Sequence, residues 1–146
     1  MTTIREAKTL DDAMAILPIR NGARHLMTRH RDEISEAQQV IWWSSEDPGR
    51  SLYVVELERP IGYGMLRING DFGMLSGAIV PELRGRGYGR LVFSFLMCEA
   101  QIRGTTPWLE VLASNVNALS LYQRLGFQPI NQEEAVITMI RQEQSP

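Results

Sequence analysis

Three glycines alternate with longer side chains in one short segment, Arg84-Gly85-Arg86-Gly87-Tyr88-Gly89-Arg90. Glycine lets the backbone approach a ligand closely and lets several N–H groups turn toward it. Apolar spacing from Leu91 onward predicts a helix directly after this segment, and its first turn adds unpaired N–H groups and a positive dipole end. A phosphate or pyrophosphate therefore suits the segment. The alternative is a tight turn that binds nothing.

Two common phosphate-binding motifs do not fit this glycine segment. A P-loop needs a lysine directly after its glycines, and none follows here. A dinucleotide-binding loop has the spacing G-x-G-x-x-G directly after its strand, with an acidic residue at the end of the next strand. Here the residues from Pro81 to Arg84 precede the first glycine, the third glycine comes one position early, and Glu110 falls in mid-strand. A dinucleotide-binding domain is therefore the less favoured alternative.

The predicted elements place the glycine segment between a strand and a helix of a mixed sheet. Alternation and turn residues predict strands at residues 2–7, 51–58, 61–68, 72–80, 108–112, 127–130 and 135–140. Helices are predicted from residue 11 or 12 toward 26, from the Ser35–Gln38 capping box to the turn at 47–49, from the glycine segment to Gly104, and over 115–125. Pro18 is expected to kink or split the first helix. The predicted fold class is α/β, a central mixed sheet of about seven strands flanked by about four helices, in a single domain over residues 1–146.

Composition narrows the classes of function. A net charge of −2 over 146 residues gives no reason to expect a nucleic-acid partner. No apolar run is long enough to span a bilayer, and the N-terminus has no apolar region typical of a signal peptide. One cysteine rules out an internal disulfide, which favours a reducing compartment. These features predict a cytoplasmic protein without membrane association.

Several chemically capable side chains are given structural roles instead. Cys98 shares helical spacing with Leu91 and Ile102, so it is predicted to be buried core. The two histidines, His25 and His30, have no cysteine or carboxylate at metal-ligand spacing, so no metal site is predicted. Asp71 falls in the predicted hairpin turn and serves only as a reserve candidate for a general base.

Two blocks of sequence resemble one known family. The pattern Arg84-x-x-Gly87-x-Gly89 resembles the [QR]-x-x-G-x-[GA] signature of the GNAT superfamily of N-acetyltransferases. The second block resembles the strand and helix that follow in that family, with most similarity to bacterial ribosomal-protein alanine N-acetyltransferases: residues 108–115, Ala118, Leu121-Tyr122 and Leu125-Gly126-Phe127. The resemblance implies the GNAT fold and transfer of an acetyl group from acetyl-CoA to a primary amine by direct attack on the thioester.

The resemblance also assigns residues to the cofactor. It gives the pyrophosphate of acetyl-CoA to the glycine segment, Arg84, Gly85, Arg86, Gly87, Tyr88, Gly89 and Arg90. The backbone of Ile79 and Val80 matches positions that pair with the pantetheine amides, and one amide of that strand would polarise the acetyl carbonyl. Asn115 matches an asparagine that hydrogen-bonds the pantetheine arm, and it could cap its helix at the same time.

Two side chains are candidates for proton transfer. Glu110 is the one charge in an otherwise apolar strand, and it matches the acidic residue that acts as general base in the alanine N-acetyltransferases. A carboxylate that points to solvent or pairs with an arginine is the alternative. Tyr122 matches the tyrosine that lies beside the cofactor sulfur and protonates the departing thiolate, whereas a core tyrosine is the structural alternative.

The sequence is compatible with three classes of acceptor amine. Scattered positions between Ile19 and Trp43 loosely resemble acetyltransferases that act on amino-sugar nucleotides, whereas the Glu110 and Tyr122 block favours a protein or peptide amine. A small amine is a third choice. A non-catalytic, CoA-binding regulatory module on the same fold is the alternative function, and the sequence leaves a homodimer open.

Overall fold

Seven strands form one mixed sheet in the computed structural model, which describes residues 1–142. The strands are β1 (Thr3–Glu6), β2 (Arg50–Glu56), β3 (Pro60–Asn69), β4 (Phe72–Ile79), β5 (Thr106–Leu112), β6 (Gln128–Glu133) and β7 (Val136–Ile140). Their order across the sheet is β1-β2-β3-β4-β5-β7-β6. Neighbouring strands are antiparallel except β4 and β5, which run parallel.

Within the described residues, four α-helices cover the sheet: α1 (Leu10–Gly22), α2 (Glu36–Ser44), α3 (Tyr88–Ile102) and α4 (Val116–Arg124). Successive residues of a strand point to opposite faces. On β3, a Cβ at Gly64 would lie 3.0 Å from Val92 of α3, whereas the neighbouring Tyr63 interacts with Arg20 of α1. Helices α1 and α3 therefore pack on opposite faces, and the predicted α/β class is confirmed.

Short-range signals define several of these boundaries. Ser35 Oγ accepts a hydrogen bond from the Gln38 amide at 3.1 Å, and Gln38 Oε1 accepts one from the Ser35 amide at 2.8 Å. This reciprocal capping box begins α2 as predicted. The Asn69-Gly70 turn joins β3 to β4, with Gly70 at a φ of 61°, where a side chain would be strained.

Helix α1 departs from its prediction in two ways. It continues past Pro18 to Gly22 without being split. Burial of the flanking Leu17 and Ile19 offsets the hydrogen bond that the proline ring removes. The predicted continuation toward residue 26 is instead a separate 3-10 turn, Arg24–Leu26.

The prediction that Cys98 is buried is wrong, because its side chain is exposed. Helix α3 is apolar on more than one face, so spacing alone did not show which face meets the sheet. The buried residues are Val92, Phe93, Leu96 and Ala100, whereas Leu91 and Ile102 are 44% and 77% exposed on the side that carries Cys98.

The two parallel strands separate soon after they meet. Residues 72–74 of β4 pair with residues 106–108 of β5, and no pairing between them follows. Beyond that point β4 remains paired with β3 as far as Ile79, and β5 with β7 as far as Leu112. The facing edges of residues 75–79 and 109–112 therefore have backbone groups without a strand partner, and the sheet opens at its centre.

Candidate active site

A cavity of about 830 Å³ fills the opening between β4 and β5. Its walls come from these two strands, the glycine segment, α3, α4 and the residues that follow the 3-10 turn. Of the residues singled out by the sequence, it is lined by Ile79, Arg84, Gly85, Gly87, Gly89, Arg90, Glu110, Asn115 and Tyr122. Val80, Arg86 and Tyr88 lie outside this lining. The fold thus brings the glycine segment, the β5 carboxylate and the α4 tyrosine to one space.

The glycine segment presents unpaired backbone donors to this cavity. Among the described residues, the amides of 85–90 have no hydrogen-bond acceptor. Gly85 and Gly87 have φ values of 76° and 90°, in the left-handed region, and Gly87 is the residue from which α3 begins. A run of free amides at a helix N-terminus binds an anion well, because the helix dipole adds to their partial charges.

Arg84 adds a buried cationic donor next to these amides. Its Nε donates to the carbonyl oxygen of Ile79 at 3.0 Å. Its Nη2 is buried and has no hydrogen-bond partner within residues 1–142. A buried guanidinium donor without a partner is costly, and an anionic ligand in the cavity would satisfy it.

The backbone amides of β4 that point into the cavity differ from the predicted pair, Ile79 and Val80. The Val80 amide donates to the Ile61 carbonyl at 2.8 Å and is therefore used by β3. Because inward and outward pairs alternate along an antiparallel ladder, the amides of Gly77 and Ile79 face β5 instead. The Ile79 carbonyl is occupied by Arg84, so the free donors here are the two amides. Sequence reasoning missed Gly77 because its orientation follows from the register.

Helix α4 brings two side chains into the cavity from one face. Asn115 caps the helix, since its Oδ1 accepts from the Ala118 amide at 3.3 Å, and its Nδ2 remains available to a ligand. Tyr122 lies two turns further along the same face. Both therefore face the opening between the strands.

Tyr122 is held rigidly and keeps its proton. Its ring packs against Phe93 and Phe127, with centroid distances of 4.9 and 6.3 Å, and burial raises its pKa above the ordinary value. The hydroxyl makes no hydrogen bond to another described residue. Among the described residues, the one side-chain polar atom that is both fully buried and unpaired is Arg84 Nη2. The unpaired Tyr122 hydroxyl is therefore not fully buried, and it opens to the cavity that Tyr122 lines. It is placed as a neutral donor.

Glu110 lies in an ion pair with Arg29. Arg29 Nε and Nη2 donate to its two carboxylate oxygens at 2.7 and 3.1 Å, and the Thr28 hydroxyl lies 3.2 Å from Oε1. The hydrogen bond to Glu110 raises the pKa of the Arg29 guanidinium. The structure thus contains the alternative arrangement, in which the carboxylate of Glu110 pairs with an arginine.

Two neighbouring polar residues of α1, the buried Arg20 and the partly buried Asn21, fix the segment that carries Arg29. The guanidinium of Arg20, which is 8% exposed, donates to the carbonyl oxygens of His30 and Asp32. Asn21 exchanges two hydrogen bonds with the backbone of Ile34, both at 2.9 Å. The backbone of residues 30–34 is therefore tied to α1, which fixes Arg29 next to β5.

A second cavity of about 700 Å³ lies on the other side of Glu110. It is lined by Thr28, Arg29, Glu110, Asn131, Glu133, Glu134, Val136 and Thr138. Three carboxylates face one guanidinium here, and that guanidinium is already paired with Glu110. The second cavity therefore carries an excess of negative charge.

Other predicted features fall outside these cavities. Asp71, the reserve base, lies in the β3–β4 turn, where its carbonyl accepts from the Thr106 amide at 2.8 Å, and it lines neither cavity. Within residues 1–142, no group of three or more His, Cys, Asp or Glu residues is arranged to hold a metal ion. None of the helices in that range is long and apolar enough to cross a membrane.

Comparison with known proteins defines the class. The model of the acetyltransferase (GNAT) family matches residues 16–127, well over half of the chain. This protein therefore belongs to the GNAT acetyltransferase family. The membership confirms the predicted resemblance and the predicted class of enzyme, an N-acetyltransferase.

Individual relatives carry related names. The [ribosomal protein bS18]-alanine N-acetyltransferase of Haemophilus influenzae is 30% identical over 108 residues, which cover 68% of this chain and 73% of that protein. The protein of the same name from Salmonella typhimurium is 47% identical, but over 51 residues, so the match spans about a third of its length. The crystal structure of the ribosomal-protein-S18-alanine N-acetyltransferase from Escherichia coli superposes with a TM-score of 0.77 at 25% identity, over 97% of this chain and 93% of that one.

Some structural neighbours were solved with the predicted co-substrate. A GNAT phosphinothricin acetyltransferase from Sinorhizobium meliloti, in complex with AcCoA, has a TM-score of 0.82 at 20% identity, over 96% of this chain and 87% of that one. At this identity the likeness concerns the fold. The family and this neighbour agree with acetyl-CoA as the acyl donor.

Proposed function

We propose that this protein transfers the acetyl group of acetyl-CoA to the terminal amine of a protein or peptide. The observation that carries the proposal is the shared cavity, whose lining includes the glycine segment, Glu110 and Tyr122. An N-terminal alanine is the favoured acceptor, because the relatives named above are alanine N-acetyltransferases of a ribosomal protein.

The residues present fit acetyl-CoA. The free amides of residues 85–90 and Arg84 Nη2, which has no partner within residues 1–142, suit its pyrophosphate. The Gly77 and Ile79 amides suit the carbonyl groups of its pantetheine arm. When bound, acetyl-CoA supplies a thioester whose carbonyl carbon is open to attack by an amine. An amide of the β4 edge can stabilise the oxygen of that carbonyl as charge develops on it.

Proton transfer is assigned to Glu110 and Tyr122, which line the same cavity. The acceptor enters as an ammonium and must lose a proton before its nitrogen lone pair can attack. Glu110 accepts that proton, directly or through a water. The new C–N bond forms as the C–S bond breaks, and Tyr122 donates its hydroxyl proton to the departing thiolate. The nitrogen sheds a second proton as it becomes an amide, and this proton restores the Tyr122 hydroxyl through solvent, so the net product is one proton, held by Glu110.

Electrostatics favours a cationic acceptor over an amino-sugar nucleotide. The second cavity leads to Glu110, and its remaining carboxylates, Glu133 and Glu134, have no guanidinium partner in that lining. A diphosphate would be repelled there, whereas an ammonium would be attracted. A peptide N-terminus meets this requirement, and so does a polyamine, which the experiment must therefore include.

A thiol-release assay with a panel of acceptors tests the proposal. We expect turnover with a short peptide that begins with alanine, and none with the same peptide after N-acetylation. Turnover with an amino-sugar nucleotide or a polyamine alone would contradict the peptide assignment. The Arg29–Glu110 ion pair favours a second candidate, a CoA-binding regulatory module, and stabilisation by acetyl-CoA without turnover of any acceptor would support it.

Substitution of Gly87 by valine tests the cofactor site. A β-branched side chain is strained at a φ of 90° and would project from the loop where the pyrophosphate must approach. We expect acetyl-CoA binding, measured by titration calorimetry, to weaken at least about tenfold. Gly70→Val is the matched control, because Gly70 also has a positive φ but lies in the β3–β4 turn. Equal affinities in Gly87→Val and the wild type would place the pyrophosphate elsewhere.

A further inference from the structure

Arg29 forms an ion pair with the Glu110 carboxylate, the proposed general base. Its Nε and Nη2 each contact a different oxygen of Glu110, at 2.7 and 3.1 Å, so neither oxygen is left without a donor. The Thr28 hydroxyl supplies a third contact at 3.2 Å. In this arrangement an incoming ammonium has to compete with an equal positive charge for Glu110, and it gains the contacts to both oxygens only when Arg29 moves.

The ion pair lies where the two cavities meet. Glu110 and Thr28 line both cavities, whereas Arg29 lines only the second, more acidic one. The glycine segment lies in the first cavity. An acceptor that enters through the second cavity therefore reaches Glu110 next to Arg29.

The Arg29 side chain can leave without unfolding the segment that carries it. The backbone from residue 30 onward is tied to α1 by Arg20 and Asn21. By contrast, the Arg29 side chain is 59% exposed, while that of Glu110 is 13% exposed. An ion pair with one exposed partner is weak, so another cation can compete for Glu110.

We propose that Arg29 holds the place of the acceptor's ammonium group, and that the acceptor binds by displacing Arg29 from Glu110. The inference rests on the proposed function and adds a residue that determines specificity. A primary ammonium can replace the guanidinium on Glu110, because it brings an equal charge and N–H donors. A neutral amide or a hydroxyl cannot, and such a group would leave Glu110 paired with Arg29.

Steady-state kinetics with an N-terminal alanine peptide tests the displacement. In Arg29→Ala the acceptor no longer competes with an internal cation, so we expect the acceptor KM to fall about threefold, the scale of an exposed ion pair, with kcat within about twofold of wild type. Arg29→Lys keeps a competing cation and should lie between the two. Arg24→Ala is the matched control, because Arg24 is exposed, lines neither cavity and takes part in no ion pair of the described residues. A higher acceptor KM in Arg29→Ala would mean that Arg29 binds the acceptor, and would overturn the inference.

A binding measurement separates this inference from the proposed function. In the complex with CoA, the Nε–H signal of Arg29 in a ¹H–¹⁵N spectrum should move as the free-amine peptide is added, and should stay in place with the N-acetylated peptide. Ethylammonium serves as a minimal cation in the same titration. A signal that responds to neither the peptide nor ethylammonium overturns the inference. A responding signal without turnover would uphold the displacement and overturn only the proposed function.

Discussion

Replacement of Glu110 by glutamine is expected to lower kcat about 10²–10⁴-fold at neutral pH. Glutamine keeps the shape of the side chain and can still accept a hydrogen bond from Arg29, but it cannot take a proton from the acceptor. Part of the rate should return at high pH, because the acceptor amine then loses its proton to solvent without help. The measurement is kcat from thiol release across a pH series.

Two results would change the role of Glu110. A loss of the same size at every pH would indicate that the carboxylate positions the acceptor instead of removing its proton. No loss would leave deprotonation to bulk water, since the reserve candidate Asp71 lines neither cavity. Glu58→Gln is the control. Glu58 is exposed in the β2–β3 turn, so its substitution removes the same charge at a distance from the site.

Tyr122→Phe is expected to lower kcat by about 10–10³-fold with little change in acetyl-CoA affinity. Phenylalanine preserves the packing against Phe93 and Phe127 and removes only the hydroxyl that opens to the cavity. Water can replace part of the donor's role, which is why the expected loss is smaller than for Glu110. Single-turnover measurements isolate the chemical step from product release.

A second buried tyrosine provides the control for this experiment. Tyr63 is 6% exposed, burial raises its pKa to about 12, and it lines neither cavity. Tyr63→Phe should therefore leave the chemical step unchanged. If Tyr122→Phe also has wild-type single-turnover rates, Tyr122 is a core residue and the thiolate is protonated by another group.

Local chemistry made much of the fold predictable. The capping box of Ser35 and Gln38, the Asn69-Gly70 turn and the glycine at position 87 each act over three or four residues, so their effect can be deduced from a short stretch of chain. Strand alternation and turn residues similarly predicted the central strands. Predictions failed where packing chose between local alternatives, at Pro18 in α1 and at Cys98 on α3.

The features of the candidate site also fall into those that local sequence predicts and those that depend on tertiary contacts. The glycine segment, Asn115 as a helix cap, and the position of Glu110 on β5 follow from nearby residues and a recognisable motif. The surroundings of Glu110 do not, because its partner Arg29 is 81 residues away in sequence. The prediction of backbone donors for the cofactor included Val80 and missed Gly77 for a related reason. The direction of each amide depends on which residue of β3 it faces.

The sequence by itself therefore determined the family, and it predicted the anion-binding segment and the two groups that would move protons. Those properties depend on residue type and on spacing within single elements. The tertiary structure alone decided that β4 and β5 separate after residues 74 and 108, that Arg84 has a buried donor without a partner among residues 1–142, and that Arg29 covers Glu110. Each of these is a contact between distant segments, and its geometry is set by how the sheet twists and how helices pack on it.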